Sequence, residues 1–143
     1  EAELYSERLD EAMANNPGKP RPVFAMMRHT AVYDSVADSM VPVRAVQAVL
    51  SQFENLYKNL GDVQNGFPAS IELKELQNRE EYNPNMLQEN LMFGTPEEVI
   101  AKLRKYEALG VDQFTYYASM GLGRREQKRS LELFINEVMP AFG

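Results

Sequence analysis

The sequence predicts an α/β fold with parallel strands, and three observations lead to this prediction. Residues 95–109 form a helical pattern with a complete N-terminal cap, and Gly110 follows it. A short strand pattern at residues 113–118 and a second amphipathic helix pattern at 124–139 come next. Earlier in the chain, the mostly apolar run 22–33 is typical of a strand that is buried on both faces of a parallel sheet.

The amino-terminal third is predicted to be a helix followed by this first strand. Apolar side chains fall on one side of residues 1–14, and the segment NNPGKP at 15–20 breaks the helix. Within the run 22–33, alternation places Arg28 on one face of the strand with Phe24, Met26, Thr30 and Val32. His29 falls on the other face, with Val23, Ala25, Met27, Ala31 and Tyr33.

The middle of the chain is predicted to be helical at first and then irregular. Asp34 and Ser35 offer a cap for residues 36–60, which form either one long helix or two helices joined near Pro42, ended by Gly61. Residues 62–90 are the least regular part: a turn at 65–68, a possible short helix at 70–78 and a polar connector at 80–85. A helical turn or two is expected at 86–92.

The last third carries the clearest local signals. Thr95 can accept a hydrogen bond from a free backbone N–H, Pro96 suits the first helical position, and Glu98 can reach back to the cap. Gly110 is expected to be a left-handed C-terminal cap. The second helix, ended by Pro140, is predicted to turn four apolar side chains inward: Leu131, Phe134, Ile135 and Val138.

Length and composition indicate one cytoplasmic domain with its own core. The chain has 143 residues, a formal net charge of −6 and no cysteine. The charge argues against nucleic acid or an anionic membrane as a partner, and the missing cysteines exclude disulfides and thiolate metal sites. No apolar run approaches the roughly 20 residues that a transmembrane helix needs, and no signal peptide is visible. No phosphate-binding glycine loop or dinucleotide motif is present, and one histidine gives no catalytic triad order.

An ordered series of segments resembles the carboxyl-terminal part of the luciferase-like, flavin-dependent monooxygenases. The series is GTPEEVI (94–100), KLRKY (102–106), LGVD (109–112), RSLELF (129–134) and EVMP (137–140). The strong match covers about a third of the chain, while residues 1–92 match in layout and spacing only. Each segment alone is a generic helix or turn, so the specificity lies in their order.

The resemblance implies that residues 1–143 are one partial domain, the carboxyl-terminal part of a (β/α)8 TIM barrel. The order would be helix, strand, helical excursion, strand and helix, with about two parallel strands. Because a closed barrel takes roughly 250 residues, the open edges would be completed by self-association into a homo-oligomer or by chain outside these residues. The first residue, Glu1, fits a fragment or a processed product equally well.

The resemblance also implies a function for the parent protein. Such a monooxygenase would use reduced flavin, either FMN or the deazaflavin F420, and O2 to oxidise a small organic substrate; a flavin reductase could supply the electrons. The fragment alone is expected to be inactive. The alternative is a non-catalytic α/β module that serves binding or assembly. In this family much of the flavin-binding surface lies on earlier strands of the barrel, so the resemblance assigns no catalytic residue and no particular substrate to this chain.

Five residues near the strand ends are candidates for cofactor binding: Arg28, His29, Tyr117, Ser119 and Arg124. Arg28 and His29 would contact an anion or the flavin, or else they are a paired arginine and a core histidine. Tyr117 would stack on a ligand or pack in the core. Arg124 opens a basic cluster with Arg125, Lys128 and Arg129, which would bind a phosphate at a helix start or lie on a solvated face.

Overall fold

The computed structural model describes residues 2–58, 62–68, 73–76 and 79–143. The helices are α1 (Ala2–Ala14), α2 (Met40–Lys58), α3 (Leu73–Leu76), α4 (Pro84–Asn90), α5 (Pro96–Ala108) and α6 (Arg124–Leu133). The strands are β1 (Ala25–Val32), β2 (Val63–Gln64), β3 (Phe67–Pro68), β4 (Met92–Gly94) and β5 (Gln113–Ala118). Two 3₁₀ turns, Val36–Asp38 and Glu80–Tyr82, precede α2 and α4, and α6 continues as a π-helical turn, Phe134–Val138, and a 3₁₀ turn, Met139–Phe142.

The central sheet confirms the α/β prediction. Its strand order is β4-β1-β5, and both pairings are parallel. β5 pairs with β1 from Ala25 to Thr30, whereas β4 pairs only with Thr30–Val32. The outer edge of β5 and the first half of β1 on the β4 side therefore have no strand partner among the described residues. This arrangement is that of a partial (β/α)8 barrel.

Strand β4 is a third parallel strand, where the sequence analysis expected about two. It has only three residues, which is too short for alternation to be visible in a sequence. Its residues Met92 and Phe93 are almost completely buried. These residues form a strand because they pair with the end of β1, which is distant from them in the sequence.

One face of the sheet is covered by α5 and α6. Val32 and Met92 of the sheet pack against Val99 of α5 and Leu133 of α6 in a single apolar cluster. Phe114 and Tyr116 of β5 contact the same cluster, and the ring of Tyr116 meets that of Phe134 edge-on at 5.0 Å. Phe114 and Tyr116 are the register partners of Met26 and Arg28, so they lie on the face that alternation along β1 predicted for Met26, Arg28, Thr30 and Val32.

Among the described residues, the opposite face is covered at the carboxyl ends of the strands and left open lower down. At the carboxyl ends, Ala31, Tyr33 and Phe93 pack against Val43 and Val46 of α2. Lower on the same face, Met27 is 56% exposed, and Ala25, Gln113 and Thr115 are also exposed. The expectation that β1 is buried on both faces is therefore wrong for its first half, because no described helix covers that half.

The inward face of α6 differs from the prediction at two positions. Phe134 and Val138 are buried as expected, but Leu131 is 44% and Ile135 is 48% exposed. Leu133 faces α5 in their place. Leu131, Ile135 and Met139 follow one another at four-residue spacing and form an exposed apolar stripe along α6 and the two turns that continue it, called here the stripe on α6. In a complete barrel such a stripe would pack against a further helix.

Three predictions at the helix ends are confirmed and one is wrong: Pro140 does not end the last helical segment but lies inside the 3₁₀ turn Met139–Phe142, near its start, where the missing N–H of proline costs no hydrogen bond. Thr95 and Glu98 form the complete capping box, and Gly110 is left-handed with φ of 78°. The Ser35 hydroxyl accepts a hydrogen bond from the N–H of Ala37 at the first 3₁₀ turn. The segment 36–60 begins with the 3₁₀ turn Val36–Asp38 and continues as the single helix α2 from Met40, so the interruption falls at Ser39 and Pro42 lies inside α2. Gly61 and parts of the short helix proposed at 70–78 lie outside the described residues.

Candidate functional site

The uncovered sheet face is the first candidate site, and it ends where α2 closes over the sheet. The face carries alternate residues of two strands: Ala25, Met27, His29 and Ala31 from β1, and Gln113, Thr115 and Tyr117 from β5, with Ser119 just beyond. Parallel strands of barrels place working residues at their carboxyl ends. The part of this face that lies at those ends is formed by His29, Tyr117 and Ser119.

His29 and Tyr117 are direct neighbours across the two strands. They are partners in the β1–β5 register, and their ring centroids lie 4.7 Å apart at an interplanar angle of 55°. The His29 Nδ1 atom is buried and has no hydrogen-bond partner. Burial lowers the pKa of His29, so the imidazole is neutral at neutral pH. The Tyr117 side chain remains 37% exposed beside it.

Ser119 lies one position along the same face from Tyr117. Its backbone N–H donates to the carbonyl of Thr30 at 3.1 Å, which extends the β1–β5 pairing beyond the last strand residue. The side chain is completely buried, and its Oγ atom has no hydrogen-bond partner. A buried hydroxyl without a partner is unusual in a folded protein, because it has lost its water without a replacement.

A glycine turn lets α2 approach this end of the sheet. Gly121 has φ of 82°, and a Cβ atom there would lie 2.4 Å from the carbonyl oxygen of Ala45 in α2. Only glycine fits both the left-handed conformation and the contact. The backbone after β5 therefore packs directly on α2, which forms the upper boundary of the open face.

Arg28 and Arg124 are not brought to His29. Arg28 alternates onto the helix-covered face, where its guanidinium donates to the carbonyl of Met27 at 2.9 Å and lies 6.0 Å from the ring centre of Tyr106. Arg124 is the first residue of α6 and is exposed. Of the five residues predicted from the sequence, His29, Tyr117 and Ser119 thus share one face, and the two arginines lie apart from it.

A second concavity lies between the end of β1 and the start of α6. It has a volume of about 300 Å³ and is lined by Asp34, Asp38, Arg125 and Arg129 among others. Arg129 Nε donates to Asp34 Oδ2 at 3.0 Å, and this hydrogen bond lowers the pKa of Asp34. Lys128 also has a carboxylate partner, Glu132, at 3.7 Å. Two of the four basic residues therefore form ion pairs, which favours the solvated-face interpretation of the cluster over phosphate binding.

Two polar residues that the sequence analysis did not single out hold the elements together. The Ser130 hydroxyl accepts from the backbone N–H of Val32 at 2.7 Å and lies 2.8 Å from the Tyr116 hydroxyl. Lys102 Nζ donates to the carbonyls of Leu91 at 2.9 Å and Phe93 at 2.8 Å, and also to that of Gln88. The sequence does not reveal these contacts. The partners of Ser130 are distant in the chain, and the partners of Lys102 are backbone carbonyls, which every residue has.

Within the described ranges, no cluster of three or more His, Cys, Asp or Glu side chains could hold a metal ion. Among the described helices, none combines the length and the apolar character that a bilayer crossing requires. What the described residues do offer is a neutral face, partly aromatic, with two buried polar atoms that lack partners. This fits an organic ligand better than a metal ion.

The comparisons with known proteins found a relative that is named a flavin-dependent monooxygenase. The chain is similar to the "Flavin-dependent trigonelline monooxygenase, oxygenase component" of Acinetobacter baylyi, with 34% identity over 122 residues. The match covers 85% of this chain and 34% of that relative, so the chain spans about a third of the relative's length. No family model matches the chain, and neither does any solved structure.

Proposed function

We propose that this chain is the carboxyl-terminal part of a luciferase-like, flavin-dependent monooxygenase that oxidises a small organic substrate with O2. The observation that carries the proposal is the partial barrel with one open face, found in a chain that is similar to a third of a flavin-dependent monooxygenase. The open face would be one wall of the ligand chamber, and the remaining walls would come from further strands.

Two features support the proposal that further strands and helices complete the barrel. The outer edge of β5 has no strand partner among the described residues, and the stripe on α6 is exposed. A parallel strand could pair with the outer edge of β5, and its helix could pack on Leu131, Ile135 and Met139. In the proposed protein a further β-strand and helix of the same chain fill both positions. Association of several such chains into a homo-oligomer is a separate part of the proposal.

The residues of the open face fit a flavin. Flavin has a planar ring, and the face offers the neighbouring rings of His29 and Tyr117, of which Tyr117 is 37% exposed. Reduced flavin supplies the oxidising chemistry with O2 when it is bound. The side chains of this face would orient the ring, while α2 would exclude water at the upper boundary.

The cofactor and partners follow from the same proposal. The relative is named an oxygenase component, so a separate flavin reductase is the expected partner of the proposed protein. The flavin is FMN or the deazaflavin F420, used in its reduced form, and the protein acts in the cytoplasm. Trigonelline, the compound in the relative's name, is the first substrate to test.

Flavin titration of two proteins tests the function. The complete gene product that contains this chain is expected to bind FMN or F420 and, with a reductase, to consume O2 in the presence of substrate. The 143-residue chain alone is expected to bind neither flavin tightly. Tight stoichiometric binding of FMN by the short chain would contradict the incomplete chamber. A complete gene product that binds no flavin would refute the monooxygenase and favour the non-catalytic α/β module.

A further inference from the structure

We propose that the second concavity, called here the β1–α6 cavity, binds a small zwitterion whose carboxylate pairs with Arg125 and whose cationic nitrogen pairs with Asp38. The inference rests on the proposed function, because it takes this zwitterion to be the substrate of the monooxygenase. The substrate would then lie at the carboxyl end of β1, beyond the open face where we propose that the flavin binds.

The β1–α6 cavity lies at a position that α/β folds commonly use for small molecules. It is lined by Ala31 and Val32 at the end of β1, by Val41 at the start of α2 and by Leu122 in the loop after β5. The helices that follow these two strands lie on opposite faces of the sheet, α2 on one face and α6 on the other. In open α/β sheets, ligands bind in the crevice outside the carboxyl ends of neighbouring strands whose connections separate in this way.

The size and the apolar part of the lining indicate a small organic ligand. The volume is about 300 Å³, at the lower end of the range of ligand pockets, which is about 300–1,000 Å³. Such a space holds a single ring or a short chain and is small for a complete flavin nucleotide. The apolar residues Ala31, Val41, Pro42 and Leu122 displace water and so strengthen the attraction between the charged groups of the cavity and a ligand.

Both signs of charge are available inside the β1–α6 cavity. Its charged lining residues are Asp34, Asp38, Arg125, Glu126 and Arg129. Arg129 pairs with Asp34, so these two charges neutralise each other. The side chains of Asp38, Arg125 and Glu126 form no hydrogen bond or ion pair with any residue that the structure describes, and they do not pair among themselves. Their charges are therefore free to pair with a ligand.

The balance of these charges favours a zwitterion over an ion of one sign. Apart from the Asp34–Arg129 pair, the cavity presents the negative charges of Asp38 and Glu126 and the positive charge of Arg125. A phosphate would be repelled by the carboxylates, and a simple cation would be repelled by the guanidinium. A ligand with a carboxylate and a cationic nitrogen can place each group beside the opposite charge, and the planar guanidinium suits the two oxygens of a carboxylate.

The β1–α6 cavity is also close to the proposed flavin surface. Ala31 lines the cavity and follows His29 by two residues on the same face of β1, a distance of roughly 7 Å along the strand. A ligand in the cavity would therefore be a neighbour of a flavin ring that lies against His29 and Tyr117. This proximity is the reason why we assign the zwitterion to the substrate.

Calorimetric titration of the complete gene product with three related compounds tests the two charges. Trigonelline carries both groups, nicotinate carries only the carboxylate, and the N-methylated nicotinamide cation carries only the cationic nitrogen. The wild type is expected to bind trigonelline at least about three-fold more tightly than either of the other compounds, because each opposite-charge contact strengthens binding. Equal affinities for all three compounds would overturn the inference.

Arg125→Gln and Asp38→Asn separate the two contacts. Arg125→Gln should weaken the binding of trigonelline and nicotinate by about three- to ten-fold without weakening that of the N-methylated nicotinamide cation. Asp38→Asn should weaken the binding of trigonelline and of this cation but not that of nicotinate. Because neither side chain has a partner in the described part of the chain, the melting temperature should stay unchanged in both variants.

Arg44→Gln is the matched control. Arg44 is an exposed arginine near the start of α2 that does not line the β1–α6 cavity, so its substitution should leave all three affinities unchanged within about two-fold. A control that weakens nicotinate binding as much as Arg125→Gln does would overturn the inference, because the effect would then come from the net charge of the protein and not from a contact.

FMN binding, measured separately by quenching of the flavin fluorescence, distinguishes failure of this inference from failure of the proposed function. A complete gene product that binds FMN but none of the three compounds would overturn the inference and leave the monooxygenase intact. The expected charge dependence in a gene product that binds no FMN would support the zwitterion site and refute the monooxygenase.

Discussion

Lys102 allows a quantitative test of how α4, β4 and α5 are held together. Its ammonium group reaches from α5 to three backbone carbonyls, those of Gln88, Leu91 and Phe93. Gln88 lies in the last turn of α4 and Leu91 is the C-cap residue that follows it, and carbonyls at this end of a helix have no partner within the helix. Lys102→Met keeps most of the apolar stem but removes the shared donor of all three carbonyls.

Lys102→Met is expected to lower the free energy of unfolding only moderately, because two effects of the substitution oppose each other. Hydrogen bonds from a charged donor contribute about 1.5–3 kcal/mol each, but water can reach this half-buried site and replace part of them. Burial of the ammonium group costs free energy, and the substitution removes that cost. We therefore expect Lys102→Met to lower the free energy of unfolding by about 2 kcal/mol near neutral pH.

The difference in the free energy of unfolding between the wild type and Lys102→Met should be larger at alkaline pH than near neutral pH. Burial lowers the pKa of Lys102 from 10.5 to about 8, so between these values the unfolded chain binds the proton more strongly than the folded chain. The free energy of unfolding of the wild type then rises with pH in this window, relative to the variant. The full pKa difference would correspond to about 3 kcal/mol, and solvent access reduces this to about 1–2 kcal/mol.

Urea unfolding of wild type, Lys102→Met and Lys19→Met near pH 7 and near pH 10 measures both effects. Lys19 is an exposed lysine in the segment 15–20, and its substitution should change stability by less than about 0.5 kcal/mol at either pH. Comparing variants cancels the titration of tyrosines, which is common to all three proteins. A gap between wild type and Lys102→Met that stays constant or narrows at alkaline pH would refute the reasoning, because the carbonyls would then hold the ammonium at its ordinary pKa.

Four further predictions concern other parts of the molecule. Gly121→Ala should destabilise the fold by about 2–4 kcal/mol in urea unfolding, because the new Cβ meets the Ala45 carbonyl in a strained conformation; the same change at Gly18, with no atom within 4 Å, provides the control for a left-handed glycine without a clash. Ser130→Ala should cost about 1–3 kcal/mol, since the buried Val32 N–H loses its acceptor; a loss below about 0.5 kcal/mol would mean that water replaces the hydroxyl. Thr95→Ala should cost about 1 kcal/mol through the capping box, detectable as lower protection of the first turn of α5 in hydrogen exchange. Leu131→Glu should leave the stability of the 143-residue chain within about 0.5 kcal/mol but reduce any self-association seen by analytical ultracentrifugation; unchanged association would show that the exposed stripe on α6 is not the contact.

The sequence predicted which face of β1 each candidate residue occupies, but it did not predict which residues of β5 lie beside them. Alternation along the run 22–33 was enough to separate Arg28 from His29, because successive side chains of a strand point to opposite faces. The pairing of His29 with Tyr117 depends on the β1–β5 register, which two segments 88 positions apart in the chain do not specify. The same register brings Ser119 close to them, and Met27 is exposed because no described helix lies over it.

The sequence by itself determined the elements whose stabilising contacts are local. The capping box at Thr95, the left-handed Gly110, and the amphipathic pattern of α5 all depend on residues within a few positions of one another, so their signals are complete in a short window. Only the tertiary structure decided that β4 exists and that Leu131 and Ile135 lie outside the core. Both depend on what else packs against the element: β4 needs the end of β1 as a partner, and the outer side of α6 has no neighbouring helix among the described residues.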